Sequence, residues 1–170
     1  GLEPHLAITY SSAGGDGLLG MGFSLTGFSA ISRCPRNYAQ DGSIRAVQYD
    51  LMDELGIDGR RRVAVSSAAG DVEYRTFPDT FTKIVGHFSG AASAQSFDVY
   101  TRAGLHLEYG TTDDSKVWGR KGVIRAWLAA KGTDSLGNYL TYVYRNDRDP
   151  SGEYTQEHAP AEVHYTGSPS

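Results

Sequence analysis

Gly15-Asp16-Gly17-Leu18-Leu19-Gly20 spells the G-x-G-x-x-G pattern that seats a dinucleotide pyrophosphate on the N-terminus of a helix. That chemistry needs a strand before the loop, an unbroken helix after it, and an acidic residue about 20 positions on. Residues 6–10 (LAITY) alternate as a strand does, and Asp41 stands near the third position. The helix fails. The stretch MGFSLTGFSAISRCP carries Gly22 and Gly27, each costing about 1 kcal/mol relative to Ala in a helix, among strand-forming Phe and Ile. Without a helix there is no ring of free N–H groups and no dipole to hold phosphates. No cofactor is therefore expected, and the glycines are expected to carry the chain sharply from one strand to the next.

The other chemistry-bearing clusters also have plainer explanations. Asp147-x-Asp149-x-Ser151-Gly152 opens like a calcium loop, but His158 replaces the bidentate Glu of the twelfth position, beside Glu157. An exposed loop is expected. The histidines, at 5, 87, 106, 158 and 164, lack zinc-ligand spacing. His106 and Glu108 share one face of a strand and read as a half-buried pair. Lys116, Arg120, Lys121 and Arg125 surround Trp118 and Trp127, which could grip phosphate and stack a base. Asp113, Asp114 and the net charge of −4 oppose that, leaving a charged strand–loop junction. Arg60, Arg61 and Arg62 read as the solvated shoulder of a hairpin. Cys34 is the lone cysteine, which excludes an intrachain disulfide framework, and it reads as a small apolar filler near a strand end. No catalytic, cofactor-binding or metal-binding residue is assigned.

The elements around these residues are short strands. Gly supplies 21 of 170 residues, well above the usual ~7%, and punctuates segments rich in Tyr, Val and Phe. Strands are expected at 6–10, 23–25, 28–33, 55–57, 62–65, 72–77, 81–88, 97–101, 105–109, 123–130, 139–145 and 162–165. Asp58-Gly59 predicts a type I′ hairpin turn. Residues 38–55 are the least readable, with VQYDLMDEL fitting a strand or a short helix. RAWLAAK alone has helical composition, but Gly132 would stop a helix within two turns. The expected fold class is all-β, built of antiparallel strands and hairpins in a sandwich-like assembly. No apolar run approaches the ~18 residues of a membrane span, and no signal segment opens the chain. The sequence starts without Met, and residues 1–170 read as one β-rich domain excerpted from a longer protein.

The opening run PHLAITYSSAGGDGLLGMGFSLTGFSAISRC resembles the N-terminal signature of the virulence plasmid B protein (SpvB) family, which includes the B components of insecticidal toxin complexes. The matching positions are Pro4, Tyr10, Ser11, Ser12, Gly17, Gly20, Gly22, Phe23, Ser24, Leu25, Ile31 and Arg33. Asp16 stands where that family often has Asn, and Phe23 where it usually has Trp. LGIDGRRRVAV, EYRTFPDTFTKIV and TRAGLHLEYG are similar to later pieces of the same family. DSLGNYLTYVYRND is also similar to the Rhs or tyrosine-aspartate repeat. The resemblance implies a non-enzymatic structural module of a secreted or exported bacterial toxin, cytoplasmic before export, contributing to a hollow β shell around a toxic C-terminal region. The ADP-ribosyltransferase of one branch lies in a separate domain, whose Glu-x-Glu pattern is not in this sequence. Other domains of the same toxin chain or toxin-complex subunits are the implied partners. Nucleic acid, a direct membrane span and a small-molecule substrate are not expected. The alternative is a module that binds a host-surface receptor, glycan or partner toxin subunit through loops near Trp118, Tyr139 and Tyr144.

Overall fold

Alternating segments cut by glycine turns become antiparallel strands almost throughout the computed structural model, which describes residues 2–13, 16–17, 20–50, 53–68, 70–77, 79–89 and 94–168. The strands are β1 (Ala7–Tyr10), β2 (Asp16–Gly17), β3 (Gly20–Met21), β4 (Phe23–Thr26), β5 (Ala30–Cys34), β6 (Glu54–Ile57), β7 (Arg60–Ala68) and β8 (Asp71–Phe77). They continue as β9 (Lys83–Phe88), β10 (Ala94–Tyr100), β11 (His106–Tyr109), β12 (Lys116–Trp118), β13 (Ile124–Thr133), β14 (Tyr139–Arg148) and β15 (Thr155–Gly167). A one-turn helix α1 (Tyr38–Asp41) and a 3₁₀ turn (Arg120–Gly122) interrupt them. Among the described residues no helix is long and apolar enough to cross a membrane.

Strands β5 to β11 hydrogen-bond in sequence order. The turn between β6 and β7 has Asp58 at φ 47° and Gly59 at φ 77°, the paired positive angles of the expected type I′ hairpin. Both ends of this run then meet β13, β5 through Ala126, Trp127 and Leu128 and β11 through Ala129, Lys131, Gly132 and Thr133. The ladder therefore closes into an eight-stranded ring, which removes its sheet edges.

Side chains from around the ring meet inside it. Ile31, Ile57, Ile84, Phe97, Val99, Tyr109, Trp127 and Ala129 form one buried cluster, with Leu55, Tyr74, Phe88 and Leu107 packed against it. Trp127 is wholly buried; its indole N–H donates to the Ala94 carbonyl (3.1 Å), and its ring meets Phe97 edge to face at 5.0 Å. Such a pair adds about 0.5–1.5 kcal/mol beyond burial. The second face of β13 is covered as well. Leu128, Val117 and Tyr144 form a further cluster with Phe28, Ala126 and Tyr142, and the Tyr144 hydroxyl donates to the Ala129 carbonyl (2.7 Å). Burial on both faces explains why RAWLAAK is a nearly continuous apolar run and yet a strand.

Several expected boundaries shift. Strand β13 runs through Gly132 to Thr133, because β11 and β14 flank that segment and supply hydrogen-bond partners. The strand expected from residue 81 starts at Lys83, since Phe81 has φ 58°. Strand β12 was not anticipated, and β15 begins seven residues before the expected strand at 162–165.

On the outer wall one polar row ties four neighbouring strands. His87 bonds Asp71 through Nδ1 (2.9 Å) and Asp98 through Nε2 (2.7 Å), while Asp98 also holds His106 Nε2 (2.8 Å), whose ring stacks on Tyr100. Partial burial pulls the His87 pKa down, but hydrogen bonds to Asp98 and Asp71 and their charges outweigh it, and the net shift is upward from 6.5. A group raised on folding stabilises fully below its unfolded pKa and loses that contribution as pH rises through the folded one. Stability should therefore fall as pH is raised from 6.5 through the raised folded value, and H87Q should flatten this part of the profile, both read from urea midpoints.

Gly110 gives a second test. It has φ 66°, its N–H donates to the Leu128 carbonyl (3.0 Å), and a Cβ there would lie 2.4 Å from Cδ1 of Trp127. Left-handed backbone and overpacking combine in Gly110→Ala, which should cost about 2–4 kcal/mol in urea denaturation.

Candidate functional site

The opening motif divides between an arm and the barrel. Strands β1 and β4 pair outside the ring, with Tyr10 opposite Phe23 and Ala7 opposite Thr26. Their cross-strand contacts are polar: Thr9 and Ser24 hydroxyls lie 2.6 Å apart, and Thr26 donates to the Ala7 carbonyl (3.1 Å). The Ser11 N–H closes the arm on the Gly22 carbonyl (2.8 Å). Gly22 has φ 80°, and a Cβ there would strike the Tyr10 ring at 2.7 Å, so this position requires glycine. Leu25 faces Ile8 and is half-buried, Ser12 lies exposed in the turn, and Pro4 lines a groove with Leu105, Leu107, Leu140 and Tyr142. Leu6, Ile8, Tyr10 and Met21 are exposed.

The last two motif residues belong to the ring. Ile31 is wholly buried in the barrel core. Arg33 spans one mouth, donating from Nε to the Ile124 carbonyl (2.8 Å) and from Nη1 to the Asp50 carbonyl (2.8 Å), with the Asp53 carboxylate 3.3 Å away. Its guanidinium carbon also stands 5.9 Å from the Trp127 ring. Asp53 accepts the N–H groups of Gln48 (2.9 Å), Tyr49 (2.7 Å) and Asp50 (3.2 Å). A buried ion pair thus gathers a loop that is neither strand nor helix over residues 46–50. Of VQYDLMDEL, expected to be one or the other, residues 47–50 are held by this tertiary contact and Glu54 and Leu55 open β6, while residues 51 and 52 lie outside the described set.

In the dinucleotide fingerprint the described residues Asp16, Gly17 and Gly20 are strand. Gly17 and Gly20 face each other across the β2–β3 pair, and β4 follows where a helix would be required. Gly15, Leu18 and Leu19 lie outside the described residues. The calcium-like stretch also resolves differently from the exposed loop expected. Asp147 lies on β14 opposite Glu157, and only residues 149–154 form the turn, where Asp149 accepts the N–H groups of Ser151 and Tyr154 (3.0 Å each). Among the described residues no group of three or more His, Cys, Asp or Glu side chains is placed to hold a metal ion.

Trp127 is buried and Trp118 half-buried beneath Arg148 (4.7 Å to the ring), so the two do not form a stacking platform for bases. His106 and Glu108 are half-buried strand residues directed to Asp98 and Lys131. Cys34 ends β5, half-buried, and burial raises its pKa.

The arginine run departs most from expectation. Arg60 is exposed and Arg61 pairs with Asp41, but Arg62 is only 4% exposed, inside the barrel. Strand alternation sends Arg62 and Arg61 to opposite faces, a signal present in the sequence but overridden there by the charge. The Asp71–His87–Asp98–His106 row was missed because its members are scattered along the chain and meet only through strand pairing.

Solved structures share this architecture. The N-terminal domain of effector protein SpvB from Salmonella typhimurium strain LT2 superposes with a TM-score of 0.77 at 19% identity, covering 97% of this chain and 59% of that one. The TcdB2–TccC3 structure gives 0.76 at 18% identity, covering 96% of this chain and 9% of that one. The Photorhabdus luminescens Tc holotoxin pore gives 0.69 at 16%, covering 95% and 8%. No match is found among curated protein sequences. The family model described as "Salmonella virulence plasmid 65kDa B protein" matches residues 1–166, and the chain therefore belongs to the SpvB family.

Proposed function

We propose that this chain is a non-enzymatic structural module of a bacterial toxin, serving the enclosure, assembly or delivery of a toxic domain carried elsewhere. The observation that carries this reading is the β14–β15 ribbon. Strand β15 is thirteen residues long, largely exposed, and paired along its length with β14 alone among the described strands. Its base is anchored: Asn146 accepts the Thr155 hydroxyl (2.8 Å), and Thr155 accepts the Trp118 N–H (2.9 Å). A fixed ribbon with an open edge is a template for a further strand. Pro160, which has no backbone donor, sits midway along the ribbon opposite Tyr144, beside a register shift.

The partners in this reading are other domains of the same polypeptide or toxin-complex subunits, and the setting is extracellular after export. Membership of the SpvB family and the barrel shared with the SpvB N-terminal domain and TcdB2–TccC3 support it. This chain spans 59% of that SpvB domain and 9% of TcdB2–TccC3, so it corresponds to a portion of each. A receptor-binding role through the aromatic loops has less support. Tyr144 is buried, Trp118 is half-buried, and of the three named aromatics only Tyr139 is exposed, at 37%.

Amide hydrogen exchange tests the proposal by comparing this chain alone with the longer polypeptide that carries it. The outward amides of β15 should be slowed at least tenfold in the longer polypeptide, with the barrel strands unchanged. Equal β15 exchange in both would contradict the role of the ribbon edge.

A further inference from the structure

Arg62 is the observation that neither the fold nor the proposed function absorbs. Its guanidinium lies between two rings, 4.2 Å from the centroid of Tyr74 and 4.4 Å from that of Phe97. Nε, Nη1 and Nη2 are all shielded from solvent without a hydrogen-bond partner. Aromatic faces attract the charge but offer no acceptor to the N–H edge, and a buried donor left unmet is destabilising, more so when charged. Burial accordingly pulls the Arg62 pKa down to about 10, with Tyr74, Cys34 and Glu54 partly opposing.

Arg62 lines a cavity of about 240 Å³ at the barrel mouth spanned by Arg33. The carboxylates on its wall already have cationic partners. Asp53 pairs with Arg33 at 3.3 Å, Asp50 accepts from Arg45 at 3.0 Å, and Glu54 pairs with Arg36 at 3.2 Å. The remaining charge on the wall is that of Arg62. Much of the rest is apolar, from Leu55, Phe88 and Trp127.

We propose that this mouth of the barrel binds a small organic monocarboxylate, whose two oxygens meet the N–H edge of Arg62 while its short apolar tail lies against Leu55 and Trp127. A planar carboxylate matches the guanidinium fork with two parallel hydrogen bonds. One unpaired cation beside three paired carboxylates favours a monoanion and disfavours a phosphate dianion. The volume holds about eight water-sized groups at ~30 Å³ each, which suits a ligand of butyrate size. For a carboxylate to reach the shielded guanidinium, Leu55 and Phe88, half-buried on the same wall, must change rotamer.

The test is a titration of ¹⁵N-labelled protein with sodium butyrate against sodium chloride at equal ionic strength, following the Arg62 Nε–H resonance and thermal melting. Butyrate should move that resonance saturably and raise Tm, whereas chloride should do neither. R62M should lose both responses, and R62K, which keeps the charge without the fork, should bind at least tenfold more weakly. The proposal is overturned by a non-saturating change common to both salts or by an equal Tm rise in R62M. It is also overturned if E54Q alone shifts the Arg62 resonance as far as butyrate does, since Glu54 would then be the partner.

Discussion

Strand β13 must satisfy neighbours on both edges and both faces, and the rest of the architecture follows from how it does so. Its early residues pair with β5 and β12, and its later residues with β11 and β14. Trp127 and Ala129 point into the ring, while Ala126 and Leu128 support the ribbon outside. Small residues at 126, 129, 130 and 132 let four strands crowd one, and Trp127 fills the space they leave. Gly110 is fixed by the same crowding, because the chain turns there against the indole with its N–H committed to Leu128.

Closure determines where polar groups can act. A ring with a packed interior leaves ligand space at its mouths, and at one of them the Arg33–Asp53 pair ties an irregular loop to the wall. A buried ion pair of this kind is expensive to break from one side, because the remaining charge stays buried. Arg62, held by aromatic faces alone, is the counterexample within the same mouth. Outside the ring, the β1–β4 arm and the β14–β15 ribbon have edges that pair with no other described strand, and such edges can meet other chain segments.

Local chemistry was legible in the sequence wherever one or two residues settled it. Asp58-Gly59 fixes a hairpin by its tolerance for positive φ, and the glycines after Gly20 point away from a helix to the strand β4 found there. In RAWLAAK the stop at Gly132 argues for a strand, although pairing carries the strand through that glycine. Residues 46–50 are opaque in the sequence because the buried Asp53 carboxylate and an arginine 20 positions before it organise them. Arg62 was misplaced for a related reason: charge suggested solvent, whereas register and alternation put the side chain inside. The run from Pro4 to Arg33 was specific enough to suggest the family, yet nothing in it revealed that its first half forms an arm outside the barrel that its last residues help to fill.

Native-state hydrogen exchange at the seam tests closure most directly. The N–H groups of Gly110 and Ala129 donate to Leu128 and Ser29 across the two seams that must part if the ring opens, and the Leu128 N–H, donating to Ser115, ties the flank of β12 to the same strand. If β13 closes the barrel, all three should exchange only through global unfolding, with a free energy matching that from urea denaturation. Exchange through a partial opening several kcal/mol below the global value, with the β7–β10 strands still protected, would show that the ring is not held shut at β13.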